Sequence, residues 1–507
     1  MTLTTTVQNA PAGHHFDRLK GNSVGLAGVL FMVIATASPI TAMVGNVPIS
    51  VGFGNGQYTP AGYVVATLIL TLFAIGYAQM ARHISATGAF YGFITRGLGP
   101  VAGLACGVTV TLTYVVFEPA IVGIFAFFAA DLVKELSGLQ LSWLWFAAFL
   151  LLAGGVLSYF EIALAAKVLG VCLILEVLML TLLSGAVLFA GGGPAGLVPE
   201  SLNPARAFEA AAGVSGASAG IGLFFAFWSW VGFESSAMYS EESRNPRRNI
   251  PIAVIFSALG VGLFYVFVSW MVVAANGPAE AIRIAQDPAT AANLFFDPTR
   301  RFLGEWAVSL FKVLIVTGTF ACALAFHNCA ARYLYALGRE NLLPGTAAAL
   351  GRTHSQHGSP HRASTVQTIL ASVIVLLFFA AGKDPYADLF TLLGLLGTLG
   401  ILVVQALCAF AVIVYFHRVP GPHQQDKHWF KTLLAPLLGG LGLVYVVDLL
   451  FTNMTFAAGN AAQSTLFQLI PWIIAASLLA GALLALYFRR NDPARYRLIG
   501  QLVRAEP

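Results

Sequence analysis

The chain has few charged residues and no long polar segment. Only 10% of its 507 residues are charged, whereas 58% are hydrophobic and the mean hydropathy is +0.80. Ordinary soluble domains carry about 25% charged residues. This shortage excludes a soluble globular enzyme, a disordered chain and a nucleic-acid-binding domain. The sequence also lacks the alternation of polar and apolar residues that a porin requires. The composition therefore predicts an all-α polytopic membrane protein.

Cysteines are few and scattered. All five lie inside apolar stretches and none forms a CxxC pair: Cys106, Cys172, Cys322, Cys329 and Cys408. We therefore predict no disulfide, no metal site and no cofactor. The first 22 residues are mostly polar, and the apolar run after them is too long for a signal peptide. This predicts an uncleaved first span.

The hydrophobic runs predict twelve transmembrane helices. Most of the 27 Lys and Arg residues fall on one side when both termini are placed in the cytoplasm, which agrees with the positive-inside rule. The predicted division is a cytoplasmic N-terminal tail (1–22), helices 1–5 (23–190), an extracellular loop (191–219), helices 6–10 (220–417), helices 11–12 (418–490) and a cytoplasmic C-terminal tail (491–507).

Two predicted spans are interrupted in the middle, as in transporters that bind substrate at broken helices. The first contains Pro39, which removes a helix hydrogen bond, beside Ser38 and Thr41, which can bond locally. The sixth contains Gly232, which weakens a helix, two residues before the acid Glu234. Each interruption opens a block of five spans. The spacing predicts a five-plus-five inverted repeat with broken helices 1 and 6, followed by two extra C-terminal helices.

Three longer motifs lie at the boundaries of the predicted spans. They are RHISATGAFYGFITRGLGPVAG at 82–103, FWSWVGFESSAMYSEESRNPRRNIP at 227–251 and NCAARYLYALGRENLLP at 328–344. The charged run in the second predicts a cytoplasmic elbow held by ion pairs. Together the motifs resemble those of the amino acid–polyamine–organocation superfamily of permeases, over about residues 20–490. The resemblance implies the LeuT-type fold and secondary transport of amino acids or amines by alternating access.

The resemblance also implies a binding site at the two interruptions. The residues expected there are Ala37, Ser38, Pro39, Ile40 and Thr41 in span 1, and Phe227, Trp228, Trp230, Gly232 and Glu234 in span 6. Trp228 falls where several relatives place an aromatic gate. Relatives that hold a substrate carboxylate usually carry a Gly-Ser-Gly type break, whereas this chain has Ala37-Ser38-Pro39. The Pro-Ile-Thr element resembles polyamine importers, so the substrate class stays open between amino acid and amine.

Other ionisable groups within the spans are candidates for function, because charges are costly in hydrocarbon. Glu118 either pairs with a substrate ammonium or packs as a neutral acid, and Tyr114, one turn earlier on the same face, either lines the pocket or packs. Glu176 lies where many relatives carry a lysine in place of a sodium ion, and it is the candidate proton-coupling group or a structural partner. Lys312 either reaches the outer surface, pairs with Glu118 or Glu176, or replaces a sodium ion.

A membrane enzyme, an ATP-driven pump and a channel are the rival functions. Gly216–Gly220 matches GxSxG but leads into span 6 without the strand that a nucleophile elbow requires. Gly382-Lys383 is followed by Asp384, so this is not a P-loop. A channel requires polar rings along its pore, whereas acids here are sparse. These patterns favour a carrier that is not an enzyme.

The sequence thus predicts a secondary active transporter that moves a small amino acid across the plasma membrane, a bacterial inner membrane, by proton-coupled symport. Sodium is the other possible coupling ion. An amine or polyamine importer and an amino acid exchanger are the alternatives. The predicted partners are the substrate, the coupling ion and the lipid bilayer. No nucleic acid is expected, because the net charge of +5 is explained by topology. Whether a protein partner is obligatory is left open.

Overall fold

The computed structural model of the protein describes residues 19–85, 87–160, 162–287, 290–500 and 504–505. These residues are mainly helical. The helices are α1 (Leu26–Ala37), α2 (Pro39–Ile49), α3 (Thr59–His83), α4 (Phe90–Leu98), α5 (Pro100–Ser137), α6 (Trp143–Tyr159), α7 (Ile162–Phe189), α8 (Ala219–Trp228), α9 (Pro246–Ile255), α10 (Val261–Asn276), α11 (Pro278–Gln286), α12 (Asn293–Leu303), α13 (Glu305–Arg339), α14 (Thr346–Ala349), α15 (His361–Ala380), α16 (Thr391–His417), α17 (Ala435–Ala458), α18 (Thr465–Asn491) and α19 (Pro493–Leu498). The strands β1 (Ile84–Ser85) and β2 (Arg504–Ala505) pair antiparallel.

Several spans contain segments that are not α-helical. π-helical turns occur at Ser50–Gly54, Phe256–Gly260, Pro385–Phe390 and Trp429–Leu434, and a 3₁₀ helix follows α8 at Phe233–Tyr239. Shorter 3₁₀ turns lie at Gly56–Tyr58, Pro199–Leu202, Pro204–Phe208, Pro422–Asp426 and Gly459–Gln463. The π-helical turn at Phe256–Gly260 joins α9 to α10 within one span.

Ten helices among the described residues are long and apolar enough to cross a membrane. The helix α6 is apolar but has only 17 residues, and the sixth predicted span is divided between α8 and the 3₁₀ helix after it. These two segments account for the difference from twelve. The polytopic helical fold is therefore confirmed, whereas the count of twelve crossings stays a prediction.

Helices α5 and α13 form the centre of the molecule and pack against each other. The 38 residues of α5 span about 57 Å, well beyond a hydrocarbon core of about 30 Å. Glycines allow close approach to α5: a Cβ added to Gly397 of α16 would lie 2.5 Å from the ring of Phe117. Small residues at helix contacts are how membrane helices gain packing contacts.

The predicted elbow after the sixth span is held to α13 by ion pairs. Arg332 donates from Nε and Nη2 to the two carboxylate oxygens of Glu242, at 2.9 Å each, and both side chains are buried. Arg339 makes a second two-point contact with Glu241. These pairs fix the exit of span 6 against the last turns of α13.

Glu242→Gln is expected to lower the free energy of unfolding by about 3 kcal/mol, because it leaves the Arg332 guanidinium buried beside a neutral group. Thermal unfolding of the detergent-purified protein measures the loss. The matched control is Glu280→Gln, which removes an exposed partner of Arg283 and should leave the melting temperature unchanged. Equal melting temperatures for the two variants would contradict the structural role of the Arg332 pair.

Candidate functional site

The first predicted span is divided into α1 and α2 at Ser38. This residue has φ +43° and ψ 82°, a left-handed conformation. Pro39 begins α2, and its ring disfavours a helical conformation in the residue before it. The Ser38 hydroxyl donates to Thr41 Oγ1 at 2.7 Å across the first turn of α2. The interruption predicted from Pro39 is therefore present, and its local bond is the predicted one.

Neighbouring helices satisfy backbone groups that the break leaves open. The Tyr265 hydroxyl of α10 donates to the Ala37 carbonyl at 3.2 Å. The Cys322 thiol of α13 donates to the Thr36 carbonyl at 3.4 Å. An unbonded carbonyl is expensive in an apolar interior, so these contacts stabilise the end of α1.

Glu176 of α7 lies at the start of α2. Its Oε2 accepts a hydrogen bond from the Ile40 backbone N–H at 3.3 Å. The residue is fully buried, and within the described part of the chain its Oε1 has no hydrogen-bond partner. Gly318 of α13 makes room for it, since an added Cβ would lie 2.7 Å from Glu176 Cδ. The carboxyl group thus faces the positive end of the half-helix.

The second interruption follows α8, which ends at Trp228. Gly232 has φ +106°, and the chain then continues as the 3₁₀ helix. The buried Glu234 side chain turns back on this segment: its Oε2 accepts from the Gly232 N–H at 3.2 Å and its Oε1 accepts from the Tyr114 hydroxyl at 2.7 Å. Glu234 therefore holds the unwound segment to α5.

The two interruptions cross each other. A Cβ on Gly232 would overlap Thr36 in the last turn of α1. On the other side of the crossing, Asn46 of α2 donates to the Ser229 hydroxyl at 3.0 Å, and the Tyr63 hydroxyl lies 2.9 Å from the same oxygen. The glycine is required here by both its positive φ and the close approach.

A small buried cavity of about 40 Å³ lies beside this crossing. Its lining residues are uncharged: Thr36, Ala37, Ser38, Thr41, Ala42, Asn46, Phe117, Ile121, Trp228, Val231, Cys322, Phe326 and Phe390. Hydroxyl and amide groups come from α1 and α2, whereas α5, α8, α13 and the segment before α16 supply mainly apolar walls.

Trp228 covers part of the cavity within an aromatic stack. Its ring lies 5.4 Å from that of Phe225 and 5.6 Å from that of Phe390, at interplanar angles of 13° and 29°. Gly394 of α16 accommodates the indole, because a Cβ at that position would overlap it. The tryptophan thus joins the sixth span to the start of α16.

Twelve of the fourteen predicted site residues lie at or around the crossing. Four line the cavity: Ala37, Ser38, Thr41 and Trp228. Others surround the interruptions without lining it: Pro39, Ile40, Tyr114, Phe227, Trp230, Gly232, Glu234 and Glu176. Trp230 donates from its indole to the Ala258 carbonyl at 3.1 Å and packs on Tyr63 and Tyr265. The structure thus brings most of the predicted residues together around one crossing.

Glu118 and Lys312 have partners elsewhere. Glu118 Oε1 lies 2.9 Å from His327 Nδ1, and its Oε2 accepts from Gln367 at 2.6 Å. Lys312 forms an ion pair with Glu135 at 2.6 Å near the end of α5, instead of with Glu118 or Glu176. The pairing of Lys312 with Glu118 or Glu176 is therefore not formed, and its position at the outer surface stays a prediction. Tyr114, although on the same helix as Glu118, bonds to Glu234 instead.

Several residues that line the cavity were not predicted from the sequence. Asn46 carries a detectable signal, because Ser38, Ala42 and Asn46 recur every four residues and so share one helix face. Phe117 and Ile121 of α5 follow the same spacing but are indistinguishable from core residues by type. Phe390 has no local signal, since its position depends on how α16 packs against α8.

Gly232→Ala is expected to lower the free energy of unfolding by about 2 kcal/mol and to abolish transport, because the methyl group overlaps Thr36 at a backbone conformation that favours glycine. Thermal unfolding and uptake into proteoliposomes measure the two effects. Gly138→Ala is the control: its backbone is also left-handed, with φ +73° and ψ −2°, but nothing lies within 4 Å of its added Cβ. A Gly232 variant that is no less stable than the Gly138 variant would argue against the crossing.

Comparisons with known proteins agree with this architecture. The chain is 24% identical over 394 residues to the methylthioribose transporter of Bacillus subtilis (strain 168), covering 76% of this chain and 78% of the relative. It is 23% identical over 432 residues to the branched-chain amino acid permease BcaP of the same organism, covering 81% and 82%.

Among solved structures, the chain resembles MHP1, a nucleobase-cation-symport-1 family transporter in a closed conformation. The TM-score is 0.54 at 11% identity, covering 90% of this chain and 98% of MHP1. This likeness confirms the LeuT-type fold. The amino acid permease family profile matches residues 25–498, nearly the whole chain. The protein, a multi-pass membrane transporter and not an enzyme, therefore belongs to the amino acid permease family of the amino acid–polyamine–organocation superfamily.

Proposed function

We propose that the protein is a secondary active transporter that carries a small neutral amino acid across the plasma membrane by alternating access, driven by a proton gradient. The observation that carries this proposal is the cavity at the crossing of the two broken helices. Broken half-helices present backbone dipoles that can bind the charged ends of an amino acid near the middle of the membrane. Both termini are assigned to the cytoplasm from the distribution of Lys and Arg.

The cavity lining favours a neutral side chain on the substrate. Its residues include no carboxylate and no cation, and its far wall is formed by Phe117, Ile121 and Phe326. A polyamine would bring two or more charges into this wall, where unpaired charges are costly. An amino acid with an apolar side chain would leave its two charged groups at the helix breaks and its side chain against the aromatic wall.

The cavity must widen to admit a substrate. A volume of about 40 Å³ is little more than the roughly 30 Å³ that one water molecule occupies in the liquid. Trp228 and Phe390 meet across it from different elements, so their separation is the simplest opening motion. Trp228 is therefore the proposed gate.

One observation favours a second candidate, a monoamine carrier. The start of α2 has fewer free donors for a substrate carboxylate than a Gly-Ser-Gly break would have. Pro39 has no N–H, and the Ile40 N–H is bonded to Glu176. A substrate without a carboxylate would not need these donors.

Thermal unfolding of the purified protein against neutral amino acids and their decarboxylated amines separates the candidates. A ligand at 100 times its Kd should stabilise the protein by about 2.7 kcal/mol. We expect small apolar amino acids to stabilise the wild-type protein. Trp228→Ala should bind them about tenfold more weakly, because it loses the aromatic contact. Trp145→Ala, an exposed tryptophan on α6, is the control.

Stabilisation by the amines alone would replace the amino acid proposal with the monoamine one. Stabilisation by neither class would contradict both. Equal binding by Trp228→Ala and wild type would remove Trp228 from the site.

Glu176 is the proposed proton-coupling residue. As a carboxylate it would neutralise the positive end of α2, and as a neutral acid it would hold this end less strongly. Proton binding can therefore change the position of the broken span that carries Ser38 and Thr41. Among the residues that the structure describes, none bonds to Oε1, so this oxygen gives a proton a place to bind.

Glu176→Gln is expected to lose substrate accumulation driven by an inside-alkaline pH gradient while keeping substrate exchange, because a neutral amide fixes the uncharged state. Counterflow and gradient-driven uptake in proteoliposomes measure the two activities. Glu118→Gln, an equally buried change at the His327 contact, should keep both. Gradient-driven accumulation by the Glu176 variant would exclude Glu176 as the coupling group.

A further inference from the structure

A second, larger groove lies on the outside of the helix bundle, between α3, the α9–α10 span and the segment that opens α17. Its volume is about 860 Å³, within the range of ligand pockets, and it is distinct in its residues from the cavity at the helix breaks. The deeper part is apolar and the part at the helix ends is basic.

The basic end collects four cations from three elements. Arg82 lies in the last turn of α3, Arg247 and Arg248 lie in the first turn of α9, and Lys431 lies in the π-helical turn before α17. All four side chains belong to exposed residues. Their helix ends therefore meet at one face of the membrane.

An exposed tryptophan indicates that this face lies at the level of the lipid headgroups. Trp429, two residues before Lys431, is 69% exposed, as expected for a tryptophan at the membrane interface. The four cations thus offer a positive site to an anion at headgroup depth.

The apolar part runs from this site toward the middle of the membrane. Along the α9–α10 span, the lining residues recur every three or four positions: Ile252, Ile255, Leu259 and Leu263. From Arg248 to Leu263 the helix rises about 22 Å, and one leaflet of hydrocarbon is about 15 Å thick. The groove is therefore long enough to hold an acyl chain from its headgroup to the midplane.

The π-helical turn at Phe256–Gly260 lies within this wall. π-helical turns are uncommon and occur frequently at functional sites. Phe256 and Leu259 of this turn are exposed and line the groove, and Phe430 and Ile75 line it from the other two elements.

We propose that this groove binds an anionic phospholipid, with its phosphate among Arg82, Arg247, Arg248 and Lys431 and one acyl chain along the wall from Ile252 to Leu263. The charges select the anionic headgroup, because each basic residue near the membrane surface attracts anionic lipid. The apolar length selects a lipid over a soluble phosphate. A lipid bound in the groove would connect α9, at the start of the seventh span, to α3 and α17.

The test uses the full-length protein in detergent, with phosphatidylglycerol, cardiolipin, phosphatidylcholine or inorganic phosphate added, and reads thermal unfolding and lipid retention by native mass spectrometry. We expect stabilisation and retention with the two anionic lipids only. Arg248→Gln/Lys431→Gln should weaken binding by about tenfold. Arg489→Gln/Arg490→Gln is the matched control, since it removes two exposed cations from α18, outside the groove.

A second pair of variants tests the apolar wall. Leu259→Trp fills the groove and should lose lipid retention, whereas Leu68→Trp, at an exposed position of α3 outside the groove, should keep it. Because each effect is read as lipid binding rather than transport, the result does not depend on the proposed substrate or coupling ion.

Five outcomes would overturn the proposal. Equal stabilisation by phosphatidylcholine, or equal weakening in both double variants, would indicate nonspecific annular lipid. Equal stabilisation by inorganic phosphate would indicate a free-anion site. Retention of lipid by Leu259→Trp would exclude the groove as the acyl site. A dimer in light scattering that dissociates in Leu259→Trp would indicate that a second copy of the chain covers the groove.

Discussion

An interrupted helix in an apolar bilayer leaves backbone groups that water cannot reach, and this constraint organises the molecule around its two breaks. The carbonyls at the end of α1 are bonded by Tyr265 and Cys322, and the N–H of Ile40 is bonded by Glu176. The groups that satisfy the break come from α7, α10 and α13. The broken span can persist only while these helices hold it, so the surrounding scaffold and the site are one structure.

The same constraint explains why charged residues appear where they do. Glu234 bonds the Gly232 N–H within its own unwound segment and reaches Tyr114 of α5. Glu176 bonds the start of α2. Each acid therefore accepts a hydrogen bond from a backbone N–H that the helix break leaves unpaired. Any role in binding or coupling is additional to this structural role. An acid replaced by its amide keeps the shape of such a contact while changing its charge, which makes these positions informative for separating structure from transport.

The sequence allowed the interruptions to be predicted because they break local rules. Proline and glycine have low helix propensity, so their presence within apolar spans predicts an interruption from the local sequence alone. The partners of Tyr114 and Lys312 could not be predicted in the same way. Tyr114 bonds Glu234, 120 positions along the chain, and the pairing depends on how α5 packs against the sixth span. Tyr114 and Glu118 are one turn apart on α5, but Tyr114 bonds to Glu234 whereas Glu118 contacts His327. Phe390 could not be predicted as a lining residue either, because its position depends on how α16 packs against α8.

The π-helical turn at Phe256–Gly260 also changes the helical register between α9 and α10, which belong to one span. A π turn takes one more residue than an α turn, so everything after Gly260 is rotated by about 100° relative to an uninterrupted α-helix. If the same residues formed a regular α-helix, Leu263 would turn away from the groove between α3, α9–α10 and α17, and Tyr265 would equally turn away from the Ala37 carbonyl. The π-helical conformation of this short segment therefore sets both the groove-facing surface of α10 and the support of the first broken helix, and a change of helix register there would alter both together.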